Sequence, residues 1–508
     1  MCKSFRVSVV FSGLVIVVLA ISQVAFAGVA MQTTEPAASN PESTKTKSSK
    51  NTTKKKKKKK ASAASVVVFG TYAPQAPAGV MNTHIIDGVA GNVDVVPVAP
   101  SAPVVPARRA VQATKTPSAR ILPVEDAPAN AAATSLVISE FRVRGPNGAN
   151  DEFIEIINAT GADHTVAGGG TGYAIAASNG VARCVIPNGT VIPNKGHWLC
   201  VNSVGYSLAS YPAGNGTTAT GDGTYTTDIP DNAGIALFNT SVAADFTLAN
   251  RFDAVGSTSE ANTLYKEGTG YSTLTPFSID YSFYRDNCGK GGSITTFGAC
   301  PGGGLVQDSN NNAADFVFVD TNGTSAGAGQ RLGAPGPENL SSPIERNASF
   351  AVNLLDTCVA AASPPNRVRD FTSDPANNST FGTLDIRRSV VNNTGGNVTR
   401  LRFRVIDITT FPAPSGIADL RPRTSTAVVV TVDRPPCGSG TSNVTVNGTT
   451  LEQPPSQPNG GGFNSSMSAG TVTLATPLAN GASIDVRFLL GIQQTGSFKF
   501  FINVEALP

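Results

Sequence analysis

From Ser135 onward, apolar and polar positions alternate in short runs: SLVISEFRVRG (135–145), DEFIEIIN (151–158), GYAIAAS (172–178), HWLCVN (197–202) and GIALFN (234–239). A period of two puts successive side chains on opposite faces of a strand, and Gly, Asn, Pro and Asp between the runs favour turns. No amphipathic helical window of useful length interrupts them. Short strands with turn signals between them predict a β-sandwich over residues 135–342.

A second series follows Leu340: ASFAVNL (348–354), TLDIRRSVVN (383–392), VTRLRFRVIDIT (398–409), TAVVVTV (426–432), ASIDVRFLL (482–490) and SFKFFINVEA (497–506). In the third run, Leu401, Phe403 and Val405 take one face and Arg400, Arg402 and Arg404 the other, which reads as a half-buried strand with a charged outer face. The arginine row is a candidate anion site, but opposed acidic residues or plain solvation explain it more simply. Residues 343–508 therefore form a second sandwich of unrecognised family, and the fold class is all-β.

The first 134 residues lack this pattern. Lys3 and Arg6 precede an apolar run from Val9 to about Ala27, and Ala25 and Ala27 flank Phe26 in the spacing of a secretory cleavage site before Gly28. Residues 1–27 read as a signal peptide. The alternative is a retained membrane anchor, because the run approaches bilayer-spanning length; if it is cleaved, no integral membrane domain remains. Residues 28–60 are rich in Ser, Thr and Lys and are expected to be disordered, and 61–134 form a Pro/Ala-rich linker, as in VVPVAPSAPVVPARR (95–109).

Composition adds three points. The 51 Gly and 34 Pro, with only 14% charged residues, suit a turn-rich β protein. Twelve of the 38 basic residues precede residue 61, against two of the 35 acidic ones, so the remainder carries an excess of 7 negative charges. The Lys54 to Lys60 tract is a candidate anchor for an anionic surface; the plainer reading is a solvated tether. Removing Cys2 with the signal leaves Cys184, Cys200, Cys288, Cys300, Cys358 and Cys437, an even set in an exported chain, and proximity suggests pairing in that order. The expected location is secreted, extracellular or at the cell surface.

Four segments in order carry a family likeness: L-x-I-S-E-F (136–141), DEFIEIIN (151–158), IPNGTVIPNKGHWLCV (186–201) and IPDNAGIALFN (229–239), closed by NNAADFV (311–317) and APGPEN (334–339). Over about 135–340 this set resembles bacterial lamin tail domains. The likeness implies an immunoglobulin-like sandwich that serves as an interaction module, which in lamins contacts proteins and DNA, and it implies no active site. The Trp expected in the third strand is replaced by the small run Ala174 to Ala177, and long insertions occupy about 205–227 and 257–307. Loops on a rigid scaffold often carry function. Tyr265, Tyr271, Tyr281 and Tyr284 in the larger insertion are candidate saccharide-stacking rings, with core packing favoured by the strand alternation of Tyr281, Phe283 and Arg285.

The search for catalytic chemistry finds little. The three histidines are His84, His164 and His197; no G-x-S-x-G elbow occurs, and His197 beside Trp198 reads as strand packing. Glu152 and Glu155 are adjacent carboxylates, but three residues apart on a strand they face opposite ways. Asp308, Asn310 and Asn312 are spaced like the start of a calcium loop, yet Ala313 stands where Gly is required and Val319 where a bidentate Glu is required, so a turn is the better account. The expectation is a non-enzymatic binding or structural protein, without cofactor unless calcium binds, whose partner is a protein, a polysaccharide or an envelope component. The alternative is an exported hydrolase, or an accessory module of one, acting on glycan or nucleic acid.

Overall fold

The structure is a computed structural model that describes residues 91–93, 133–275, 278–286, 306–324, 326–452, 454, 457 and 460–508. The signal segment, the Lys54 to Lys60 tract and the proposed Cys288–Cys300 pair lie outside the described residues. Among those described, no helix is long and apolar enough to cross a membrane.

The first sandwich has a four-stranded sheet in the order Arg251–Val255, Ile235–Phe238, Gly172–Ala177, Ala182–Pro187. It faces a six-stranded sheet in the order Phe316–Asp320, Tyr281–Arg285, Leu136–Arg142, Phe153–Asn158, His197–Asn202, Gly223–Tyr225. All neighbours in these sheets are antiparallel except the last pair, Cys200 with Gly223. Alternation sends Ile154, Ile156, Trp198 and Cys200 inward, where they meet Ile175, Ile186 and Leu237 of the facing sheet. The Cys184–Cys200 disulfide joins the two sheets beside Trp198.

The second sandwich pairs two five-stranded sheets. One runs Ile344–Glu345, Phe500–Leu507, Arg400–Ile408, Ser466–Ser468, Thr450–Glu452; the other runs Phe350–Leu354, Thr383–Asn392, Ser483–Gln494, Asp419–Arg423, with Arg367–Asp370 also on Thr383–Asn392. Leu401, Phe403 and Val405 point into the core as their alternation requires, and Phe403 meets Phe488 edge to face at 4.9 Å. The Cys358–Cys437 disulfide ties the loop after Phe350–Leu354 to the hairpin of Val428–Val432 and Ser442–Val446.

Three features depart from the expectations. Part of the Pro/Ala-rich linker is structured: Gly91–Val93 pairs antiparallel with Gly496–Phe498, and Val93 enters the second core at 2% exposure. The linker's apolar Val supplies an edge strand with a place to bury it. The two sandwiches also do not stand apart, because Tyr284, Val317 and Val319 of the first join the core of the second around Phe463. Finally, the insertion at 205–227 is not a free loop. Leu208 and Tyr211 pack on Phe153, Leu199 and Val201, while Tyr211 Oη lies 3.0 Å from Ser466 Oγ and Asn215 Nδ2 donates to Thr399 Oγ1 at 2.9 Å. It is wedged between the modules.

The two disulfides close loops of very different length, with sequence separations of 16 and 79. Chain-entropy loss predicts that replacing Cys184 and Cys200 by Ala costs about 3 kcal/mol and replacing Cys358 and Cys437 about 4–5 kcal/mol. Urea unfolding of the two double variants measures both, and the reverse order of stabilities would contradict that account.

Candidate functional site

The densest polar chemistry lies where the outer face of the six-stranded sheet meets the outer face of the sheet holding Arg400–Ile408. On the first side, Glu155 and His197 come from neighbouring antiparallel strands, with Ile157 opposite His197 and Leu199 opposite Glu155. These positions alternate with the inward Ile154, Ile156 and Trp198, so the pattern that fills the core also aims a carboxylate and an imidazole outward. A bulge between Ile138 and Glu140 shifts the register of Leu136–Arg142 and brings both Ser139 and Glu140 to the junction. Glu338 arrives on the segment linking the two sandwiches.

The second side presents the arginine row. Arg402 Nε bonds Glu505 Oε2 at 2.6 Å, Arg404 Nε bonds Glu505 Oε1 at 2.7 Å, and the Nη2 groups of both arginines meet Glu338 Oε1. Asn464 completes the bridge: its Nδ2 donates to Glu140 Oε2 at 3.0 Å and its Oδ1 accepts from Arg404 at 2.9 Å. At the rim Arg400 pairs with Glu452, and Lys195 of the first sandwich pairs with Glu345 of the second. The row read as a charged outer face is buried at Arg402, at 0% side-chain exposure, and at Arg404, where opposed carboxylates neutralise it, while Arg400 at the rim is half-buried. The acidic partners anticipated as the simpler explanation are present.

Burial sets the protonation of the junction. It raises the pKa of Glu140, and raises that of Glu155 well above the usual carboxylate range, the latter reinforced by the neighbouring Glu140. Burial also opposes the Glu505 charge, but Arg402 and Arg404 overcome it and hold this carboxylate below its ordinary value. His197 is lowered to about 3 by burial and by Arg404, so its imidazole is neutral. A cavity of about 80 Å³, room for a few waters, is lined by Ser139, Glu155, Lys195, His197 and Glu338 among others.

The remaining candidates are dispersed. Tyr265, Tyr271, Tyr281 and Tyr284 are at most 7% exposed, so they cannot form a stacking platform for a saccharide. Tyr271 lies 4.5 Å from Phe283 in the first core, and Tyr265 meets Phe238 edge to face over the small residues Ala176, Ala236 and Ala254. The small run in place of the expected Trp therefore makes room for the insertion to cover this sheet. Of the calcium candidates, Asn312 is buried with Oδ1 accepting from the backbone N–H groups of Gly256 and Glu267 and Nδ2 donating to Ala254, so its side chain pins a turn. Asp308 Oδ1 accepts from the backbone of Asn310 and pairs with Arg285 at 3.4 Å. Asp308 also groups with Asp253 and Glu267, but Arg285 already reaches into this acidic cluster, with Nη2 bonded to Asp253 at 2.5 Å. His164 bonds the Tyr173 hydroxyl at 3.1 Å. Glu152 faces away from Glu155, as its spacing requires, and accepts from Asn202 and the Ile229 backbone, both at 2.8 Å.

Reading the sequence alone missed the junction because its halves were weighed separately. A signal existed: Glu140, Glu155 and Glu338 belong to the segments L-x-I-S-E-F, DEFIEIIN and APGPEN, and the arginine row faces the opposite charge from another module. No family model, curated protein or solved structure matches this chain.

Two outcomes follow from this geometry. Arg402→Met leaves Glu338 and Glu505 short of a buried counter-charge and should cost about 3–5 kcal/mol, while adding Glu505→Leu should cost less than the sum of the single changes; denaturant melts of the double-mutant cycle measure it. Glu152, raised to about 8 chiefly by burial, contributes stability below pH 4.5 that is lost as pH rises toward 8. Glu152→Gln should therefore shrink the drop in Tm between pH 5 and pH 8, read by differential scanning calorimetry.

Proposed function

We propose that this chain is a non-enzymatic, exported binding or structural protein in which a lamin-tail-like sandwich and a C-terminal sandwich act as one rigid body against a protein, polysaccharide or envelope component. The observation that carries the reading is the junction itself. It consumes the densest charged chemistry of both modules in mutual pairing, buries His197, and leaves the outward edges of the body for contact. Two disulfides suit the oxidising surroundings of an exported protein. Exposed aromatic residues offer a contact surface on the second sandwich. Phe371 and Phe381 are 56% and 49% exposed, and Arg369 stacks 4.3 Å over Phe371 while donating to the Phe381 carbonyl.

The test is cosedimentation of the full chain with isolated envelope fractions, acidic polysaccharide and DNA at two salt concentrations. The reading expects binding to one of these that falls when Phe371 and Phe381 are both replaced by Ser. A salt-sensitive share should disappear on deleting residues 45–60. Turnover of a glycan, ester or phosphodiester substrate, lost when His197 or Glu155 is replaced, would overturn it in favour of an exported hydrolase.

A further inference from the structure

We propose that His197, Glu155 and Glu338 form a zinc site that fastens the connecting segment to the first sandwich at its junction with the second. His197 Nε2 lies 3.4 Å from Glu338 Oε2 and 3.7 Å from Glu155 Oε1. Both separations exceed the 2.7–3.2 Å of an N–H···O hydrogen bond. Metal distances of about 2.0–2.1 Å put neighbouring donors on a tetrahedral zinc ion about 3.3–3.5 Å apart; the Glu338 separation falls in that range and the Glu155 separation lies slightly beyond it. One nitrogen and two carboxylate oxygens, all within 4.8 Å of one another, make three of the four ligands zinc takes. The adjoining cavity has room for water as the fourth.

The imidazole supplies an independent observation. Its side chain is 8% exposed, Nδ1 has no hydrogen-bond partner, and Nε2 is aimed at two carboxylate oxygens without bonding either. A metal on Nε2 would give that nitrogen a partner and fix the ring proton on Nδ1. Each carboxylate is held by its other contacts: the Glu155 oxygen nearest His197, Oε1, also accepts from Ser139, whereas Glu338 leaves one oxygen toward His197. Glu155 accepts from Ser139 Oγ and from the Glu338 backbone N–H at 2.6 Å, while both arginines occupy Glu338 Oε1 and leave Oε2 toward the imidazole. Outer contacts of this kind orient metal ligands. The acidic group around Asp253 differs, since a guanidinium already lies within it.

The experiment uses the full exported chain, stripped with a chelator and titrated with ZnCl2 by calorimetry, with metal content checked by mass spectrometry. One zinc per chain and a raised Tm are expected. His197→Gln should abolish the equivalent, Ser139→Ala should weaken it about tenfold, and Glu267→Gln in the Asp253 cluster should leave it intact. Should the His197 variant fail to fold, Co2+ on the unaltered chain decides: visible d–d bands support the site and their absence overturns it. Failure to take up zinc, uptake unchanged in folded His197→Gln, or selection of Ca2+ over Zn2+ each overturns the assignment.

Discussion

Two sheets meet here through charged outer faces, and that encounter is the constraint on which the rest of the molecule depends. Burying a guanidinium costs several kcal/mol unless hydrogen-bonded carboxylates surround it. Arg402 and Arg404 share Glu505 on their own sheet and Glu338 from the connecting segment, so neither sandwich can complete the network alone. Such pairing adds little net stability compared with apolar packing of the same volume, but it tolerates few alternative registers. Tyr284, Val317 and Val319, packed around Phe463 beside the network, supply the apolar contact that favours closure. The charges then select which closed arrangement forms.

Irregularities in otherwise regular strands place the participants. A shift between Ile138 and Glu140 frees two consecutive residues to reach the junction, and another between Val405 and Asp407 interrupts the arginine strand just past Arg404. Gly336 passes so close to Arg404 that a Cβ there would lie 2.5 Å from a guanidinium nitrogen, so the connecting segment needs a residue without a side chain. The insertion carrying Tyr211 fills the rest of the gap. A loop that looks like a binding appendage in sequence is spent on excluding water from the join.

What was legible in the sequence follows from how far each signal reaches along the chain. Strand runs such as DEFIEIIN and TLDIRRSVVN show themselves through a local period of two, and both observed disulfides were readable as pairs of consecutive cysteines. The alternation of Leu401, Phe403 and Val405 with three arginines was equally plain, yet whether the arginines meet water or protein depends on Glu338 and Glu505, distant in the chain, and on a sheet from the other module. Periodicity carries no information about that. His197 looked like strand packing because its neighbour Trp198 does pack; only its facing partners reveal the difference. Val93 was hidden for the opposite reason, since its Pro-rich surroundings give no strand pattern and the Gly496–Phe498 edge supplies the template.

That short pairing also decides how the protein answers to tension. If the basic segment preceding it is held on a surface, a pull from that side enters the fold at Gly91–Val93, against the penultimate strand, and not at Leu136–Arg142 where the first sandwich begins. The C-terminal sandwich therefore takes the strain first. Three residue pairs in register are the first link to give way, and their release transfers the pull to the first sandwich while both cores are still intact. Under such a pull the clip would act as a mechanical fuse between the held segment and the body.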